Sequence, residues 1–243
     1  MKPPSAAKKT DVRLDDSMIL ANQDIMLPAS YAAAAEDETV LREVRKYTTH
    51  EITDGQAREE YEEFLQRAFK PLGIYREHFL PGASSSCYRI NFQGQVVAIF
   101  RLTPVSPESA LHQIIPGASR ARILEVNNVA IDESFKGDLL IGIILKNCAL
   151  LSHVKGFDFV AGIVRRQVLP VFVDFGTIPV LHEPFHLLGD PAICDYITYF
   201  RTDDDQYIDY VLARSYHYFH RKVTVKNIDA HRLSRNLKAQ VTP

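Results

Sequence analysis

The chain has 243 residues, 46% hydrophobic and 24% charged, with a formal net charge of -2. This is an ordinary globular composition, and its near-neutral balance excludes a general nucleic-acid binder, which needs a strongly basic surface. Its apolar runs fall short of the about 20 residues that cross a bilayer. The three cysteines, Cys87, Cys148 and Cys194, lie far apart and form no metal-type spacing, so the expectation is a cytoplasmic protein with neither a disulfide framework nor a metal.

Residues 1–36 mix Pro, Ser, Ala and charge without a sustained period and read as a flexible N-terminal arm, with Met18-Ile19-Leu20 an apolar patch within it. Residues 37–49 read as a short charged helix. Residues 57–69 read as a helix with Tyr61, Phe64, Leu65 and Phe69 on one face, ended by Pro71 and Gly73. "SCYRINF" and "QVVAIFRLTP" flank Gln93-Gly94 as a hairpin. Residues 104–117 form a loop or short helix.

"RILEVNNVAID" is then a strand, Leu139 to Ser152 a helix with Leu140, Ile143, Ile144 and Leu151 inward, and "FDFVAGIV" a second strand. "RRQVLPVFVDFG" reads as helical, and "TIPVLHE" and "CDYITYF" as the last strands. Strands joined through crossover helices make a mixed α/β sheet with at least one parallel pair. The last segment starts helical and turns basic: from Arg214 to Lys238 it carries seven Lys or Arg against Asp229 alone. The expected organisation is an arm at 1–36, a main α/β domain at 37–212 and a basic C-terminal extension at 213–243.

Several residues ask for a reason. Glu125 lies in a strand between Leu124 and Val126, and a carboxylate there needs a partner or a task. Asn127 and Asn128 are poor strand residues. Arg101 closes the run "VVAIF". Arg165-Arg166 follows a buried strand. The motif "HEPFH", with His182, Glu183 and His186, has the spacing of a metal pair on one helix face, but Pro184 argues against that helix.

A strand, a loop with "KGD", an apolar helix, the strand "FDFVAGIV" and a helix ending "VFVDFG" resemble the acyl-transfer core of the GNAT superfamily. The resemblance is narrower around "VVAIFRLTP" and "LEVNNVAID", which are similar to the autoinducer (acyl-homoserine-lactone) synthases and, more closely, to long-chain N-acyl amino acid synthases. It spans roughly residues 57–200. The fold it implies is a central mixed, twisted sheet flanked by helices. The activity it implies is transfer of a fatty acyl group from acyl carrier protein to the amine of an amino acid or related small molecule, with acyl-coenzyme A as the alternative donor and no tightly bound cofactor. A non-catalytic GNAT-fold module that binds a ligand or partner is the rival of another class.

By that resemblance the donor's phosphate rests on backbone amides at a helix start, where a dipole favours an anion. The corresponding residues are Val129, Ala130, Ile131, Lys136, Gly137, Asp138, Leu139 and Leu140. Leu139 and Ile141 stand where the common family pattern has small residues, which suits a carrier's single phosphodiester rather than the several phosphates of coenzyme A. Phe172 aligns with the usual tyrosine acid and is expected to line the substrate site.

Glu125 has two readings, a carboxylate bridged to Arg101 or Arg122, or the general base that takes a proton from the incoming ammonium. Of Asn127 and Asn128, one either merely caps or faces solvent, or the pair marks a bulge where the amide of Val129 or a neighbour would polarise the thioester carbonyl. Arg101 either pairs with Glu125 or binds an amino acid's carboxylate. Arg165 and Arg166 read as a solvated pair or as a docking site for an acidic carrier protein.

Overall fold

The computed structural model describes residues 37–73, 82, 84–137, 139–180 and 195–240, with side chains described as far as residue 224. The expected arm, the "HEPFH" motif, Cys194 and Asp138 lie outside the described residues.

The first elements differ from the sequence reading. Helix α1 (Glu38–Val44) is short, and strand β1 (Tyr47–Glu51) follows it at once. A single charged helix over 37–49 overlooks "YTTHE", whose aromatic and β-branched residues favour a strand. Tyr47 and Thr49 turn inward in alternation. Helix α2 (Gly55–Phe69) begins two residues before its expected start, because the Asp54 side chain accepts from the Ala57 amide at 2.7 Å and caps it. Strands β2 (Ser86–Phe92) and β3 (Gln95–Pro104) form the expected hairpin, turning through Gln93 and Gly94, both with positive φ.

Next come a one-turn helix α3 (Leu111–Ile114), strand β4 (Ile123–Ile131), helix α4 (Leu140–Val154) and strand β5 (Phe159–Arg165). Helix α5 (Leu169–Asp174) is much shorter than the expected 165–176. Pro170 lacks an amide proton, so it fits the first turn and not the middle of a longer helix. Arg165 accordingly ends β5 rather than beginning a helix. Two short final strands are described, β6 (Ile178–Pro179) and β7 (Asp195–Arg201), and a 36-residue helix α6 (Asp205–Gln240) follows.

The strands form one sheet in the order β1-β2-β3-β4-β5-β7-β6. Among the described strands, only β4 and β5 run parallel, joined by the α4 crossover. The main core lies between one sheet face and α1, α4 and α6. Helix α4 is buried nearly all round, with Leu140, Ile143, Ile144, Cys148 and Ala149 each at most 1% exposed. Side chains of this size contribute about 1.5–3 kcal/mol each when fully buried. Helix α2 covers the other face, over Cys87, Ile99 and Ala130.

Helix α6 passes through residues 212 and 213 without a break, and Tyr218, Phe219 and Val223 belong to the main core. Gly142 lets α6 approach α4: a Cβ there would meet Phe219 and Tyr218 at 2.8 Å and Phe175 at 3.1 Å. That glycine serves helix packing. Further contacts tie α6 to α5. Tyr207 donates to the Gly176 carbonyl, and Arg214 donates from Nε to the Asp174 carbonyl at 2.7 Å.

Candidate active site

A central strand is normally buried along its length. In β4, however, residues 125–129 are all half-exposed. The cause is a parting of strands. The β4–β5 ladder runs from Ile123–Phe159 to Val126–Gly162 and stops. Beyond it, β5 continues against β7 as far as Arg165, and β4 continues against β3 as far as Ile131. The two strands leave a wedge-shaped cleft at the C-terminal end of the parallel pair.

At that point β4 also bulges. Arg101 pairs with Asn127 and Ile99 with Ala130, so Asn128 and Val129 share the single position opposite Phe100. Asn128 takes φ 53°, a conformation that asparagine tolerates better than other side-chain-bearing residues. The bulge expected at these asparagines is therefore present.

Alternation fixes which side chains meet. Leu124 and Val126 point into the main core, so Glu125 and Asn127 face the α2 side. Arg101 is 9% exposed and donates from Nε to Asn127 Oδ1 at 2.7 Å. The Asn127 side chain lies beside Glu125 and favours its charged form. Burial lifts the Glu125 pKa above the ordinary carboxylate range, outweighing the Arg101 charge and the Asn127 side chain, which lower it. Arg122 is engaged elsewhere: it donates to the Lys155 carbonyl at 3.2 Å and lies over the Phe157 ring. A bridge from Glu125 to Arg122 is thus replaced by the chain Arg101–Asn127–Glu125.

Tyr61 borders the same cluster from α2. Its hydroxyl is buried against the Asn128 side chain and the Cys87 thiol, and makes no hydrogen bond of good geometry among the described residues. Sequence reasoning took Tyr61 as core only, since a tyrosine in an apolar helical stripe gives no sign of what its tip meets.

The loop after β4 leads to α4. Asp132 Oδ1 accepts from the Ser134 amide at 3.0 Å and hydroxyl at 2.6 Å, closing a 3-10 turn over Glu133–Phe135. Lys136 pairs with Glu133, and Gly137 has φ 80°. Among the described residues no side chain caps the start of α4, where the first-turn amides point along the helix axis toward the loop. Leu139 and Leu140 bury their side chains in the core, at 2% and 0% exposure, and can offer only backbone. Lys222 of α6 donates to the Gly137 carbonyl at 2.7 Å, a contact across 85 residues that no local pattern announces.

Arg165 and Arg166 stand at the end of β5, at the same end of the sheet as this loop. Arg165 is engaged with Asp195 at 3.3 Å, while Arg166 is exposed. Phe172, on α5, packs against the main core. The structure thus gathers Glu125, Asn127 and Arg101 on the α2 face of the sheet, puts Val129 in the bulge beside them with its side chain against the main core, and sets the loop, Arg165 and Arg166 at the same end of the sheet. A separate groove of about 540 Å³, lined by Arg120, Phe159, Tyr199 and Arg201 among others, lies toward the start of β5. Among the described residues, no group of His, Cys, Asp and Glu side chains could hold a metal, and no helix is long and apolar enough to cross a membrane.

No known family profile matches the sequence, and no characterised protein matches it by sequence search. Solved structures do match. FeeM, an N-acyl amino acid synthase from uncultured soil microbes, aligns with TM-score 0.54 at 9% identity over 65% of this chain and 92% of its own. Arabidopsis thaliana NAA60, solved with a bisubstrate analogue, aligns with TM-score 0.50 at 12% identity over 64% of this chain and 97% of its own. A GNAT family acetyltransferase from Elizabethkingia anophelis with acetyl-CoA bound aligns with TM-score 0.44 at 17% identity over 64% of this chain and 98% of its own. The mixed seven-stranded sheet, parted between its one parallel pair and flanked by helices, is the GNAT fold.

Proposed function

We propose that the chain is an N-acyltransferase that moves a fatty acyl group from a thioester to the amine of an amino acid or related small molecule. The observation that carries this is the chain Arg101–Asn127–Glu125, set beside a bulge where β4 leaves β5. It puts a partly desolvated carboxylate of raised pKa next to strand amides that the ladder skips.

The chemistry follows from those parts. The amine arrives as ammonium, and Glu125 accepts one of its protons, a task suited to a carboxylate whose basicity burial has raised. The freed nitrogen attacks the thioester carbon. Negative charge gathers on the carbonyl oxygen, and the amides at Asn128–Val129 meet it. The C–N bond forms, the C–S bond breaks, the nitrogen gives its second proton to solvent, and the departing thiolate takes one from solvent. Phe172 has no proton to give, and a thiolate is a tolerable leaving group without one. Arg101 holds the acceptor's carboxylate, or sets the charge around Glu125 through Asn127.

The donor is an acyl carrier protein in this reading. The loop from Lys136 to Leu140 has one glycine described, Gly137, and leucines rather than small residues at 139 and 140, so it leaves less room for several phosphates to come close. One phosphodiester needs fewer than the phosphates of coenzyme A. Val129, Ala130 and Ile131 would run beside the phosphopantetheine arm, and Arg166, with Arg165 behind it, would meet an acidic carrier surface.

The test is to incubate the protein with acylated carrier protein or acyl-coenzyme A and pooled amino acids, and to read products by mass spectrometry. Acyl-amino acids from the carrier are the expected result. Product from coenzyme A alone would move the donor, and no transfer from either would turn the reading to a binding module.

A further inference from the structure

The Tyr61 hydroxyl is the one buried polar group on α2 that faces the bulge without a hydrogen bond of good geometry among the described residues. Tyr61 is 1% exposed. Its ring packs with Cys87, Ile99 and Ala130, in a pocket that phenylalanine would fill equally well. Burying a hydroxyl without a partner costs stability rather than adding to it. Packing therefore accounts for the ring and not for the oxygen. The oxygen lies against the Asn128 side chain, and Asn128 is the left-handed residue of the bulge.

We propose that Tyr61 is a positioning residue whose hydroxyl hydrogen-bonds the Asn128 side chain when the cleft is loaded, and so fixes the aim of the Asn128 and Val129 amides. This rests on the acyl-transfer reading for its purpose. The geometry behind it is independent of that reading: Asn128 and Val129 together oppose one residue of β3, so their orientation is not dictated by ladder pairing on that side. Pairing with β5 ended at Val126. Tyr61 reaches the bulge from the helix above. The hydroxyl titrates only in strong alkali, because burial pushes its pKa up, so it stays a donor through the neutral range.

The experiment is Tyr61→Phe, which removes one oxygen and keeps the ring. The expected result is a thermal midpoint equal to or above that of the unaltered protein, with kcat lower by about 10-fold and KM for donor and amine kept. That is less than the roughly 10²–10³-fold typical of losing a direct oxyanion donor. In an Asn128→Gly background, which keeps the left-handed backbone and removes the side chain, Tyr61→Phe should have no further effect. Unchanged kcat in the single variant, or full additivity in the pair, overturns the proposal. A fall in midpoint together with kcat would make Tyr61 structural and overturn it as well. A second readout does not need activity: the amide resonances of Asn128 and Val129 should move in Tyr61→Phe while those of α2 beyond Phe64 stay, and no movement overturns the proposal. If the unaltered protein transfers no acyl group, the acyl-transfer reading falls and the amide resonances alone decide this one.

Discussion

Arg101 donates from Nε to Asn127 Oδ1 at 2.7 Å, directly across the β3–β4 ladder, and both Arg101 and Asn127 favour the charged form of Glu125 beside them. The arginine influences that carboxylate mainly through its field. Removing it leaves the burial of Glu125 unopposed by a nearby positive charge.

Arg101→Met should consequently raise the Glu125 pKa further. A general base acts when deprotonated, so kcat/KM rises with pH through that pKa. The acidic limb of the profile is expected to move to higher pH in the variant. A pH–rate profile checks it, and an acidic limb that stays in place or moves downward would show that Arg101 does not act on Glu125.

Glu125→Gln should lower turnover by roughly 10²–10⁴-fold if Glu125 is the base. Stability should move the other way. The folded-state pKa of Glu125 is raised, so the folded chain binds this proton more tightly than the unfolded chain does. Its contribution is favourable in acid, below the unfolded pKa, and is lost as pH rises through the folded value. Above the folded value the ionised, half-buried carboxylate is a penalty, and glutamine removes it. Thermal midpoints measured across pH should show the variant ahead above the folded value, with the difference closing as the pH falls through that value to the ordinary glutamate range.

Much of this site was legible before any coordinates. Glu125 and the two asparagines stood out because a half-polar run is costly in a central strand, and the structure answers with a bulge and a parted sheet at that run. The hairpin was legible because two apolar runs flanked Gln93-Gly94. What escaped was non-local. The strand at Tyr47–Glu51 needs β2 beside it to exist, and the charges around it favoured a helix. The reach of Lys222 to Gly137, the packing role of Gly142 and the meeting of Tyr61 with Asn128 all depend on helices placed by tertiary contacts.

The bulge makes a stability prediction that needs no activity. Asn128 has φ 53°, where alanine is strained and glycine is not. Asn128→Gly and Asn128→Ala lose the same side-chain polar group, so their difference isolates the backbone. The glycine variant should be the more stable by about 1 kcal/mol, the reverse of the usual order in strands. Urea unfolding of the two variants measures it, and an alanine variant as stable as the glycine one would remove the left-handed turn.

Gly142 is constrained by its neighbours rather than by its backbone. An added Cβ would come within 2.8 Å of both Tyr218 and Phe219, and both rings are held in the core between α4 and α6. Gly142→Ala should destabilise by about 1–3 kcal/mol despite alanine's better helix propensity. Chemical denaturation gives the number, and a stabilised variant would mean that α6 does not pack against the first turn of α4.

Lys146 offers the last test. It lies in the middle of α4 at 7% exposure, and burial pulls its pKa down to about 8. The unfolded chain therefore binds this proton more tightly than the folded one. Folding bears no penalty from Lys146 above the unfolded lysine range, where both states are neutral. The penalty grows as pH falls toward 8 and is complete below it. At pH 7 the ammonium is still charged in the folded chain, at the expense of its hydration. Lys146→Met keeps the length of the side chain and removes the charge. Its thermal midpoint should exceed that of the unaltered protein at pH 7, and the gap should narrow steadily from pH 8 to pH 10. A variant that is less stable at pH 7 would show that the Lys146 ammonium is held by its surroundings more strongly than burial opposes it.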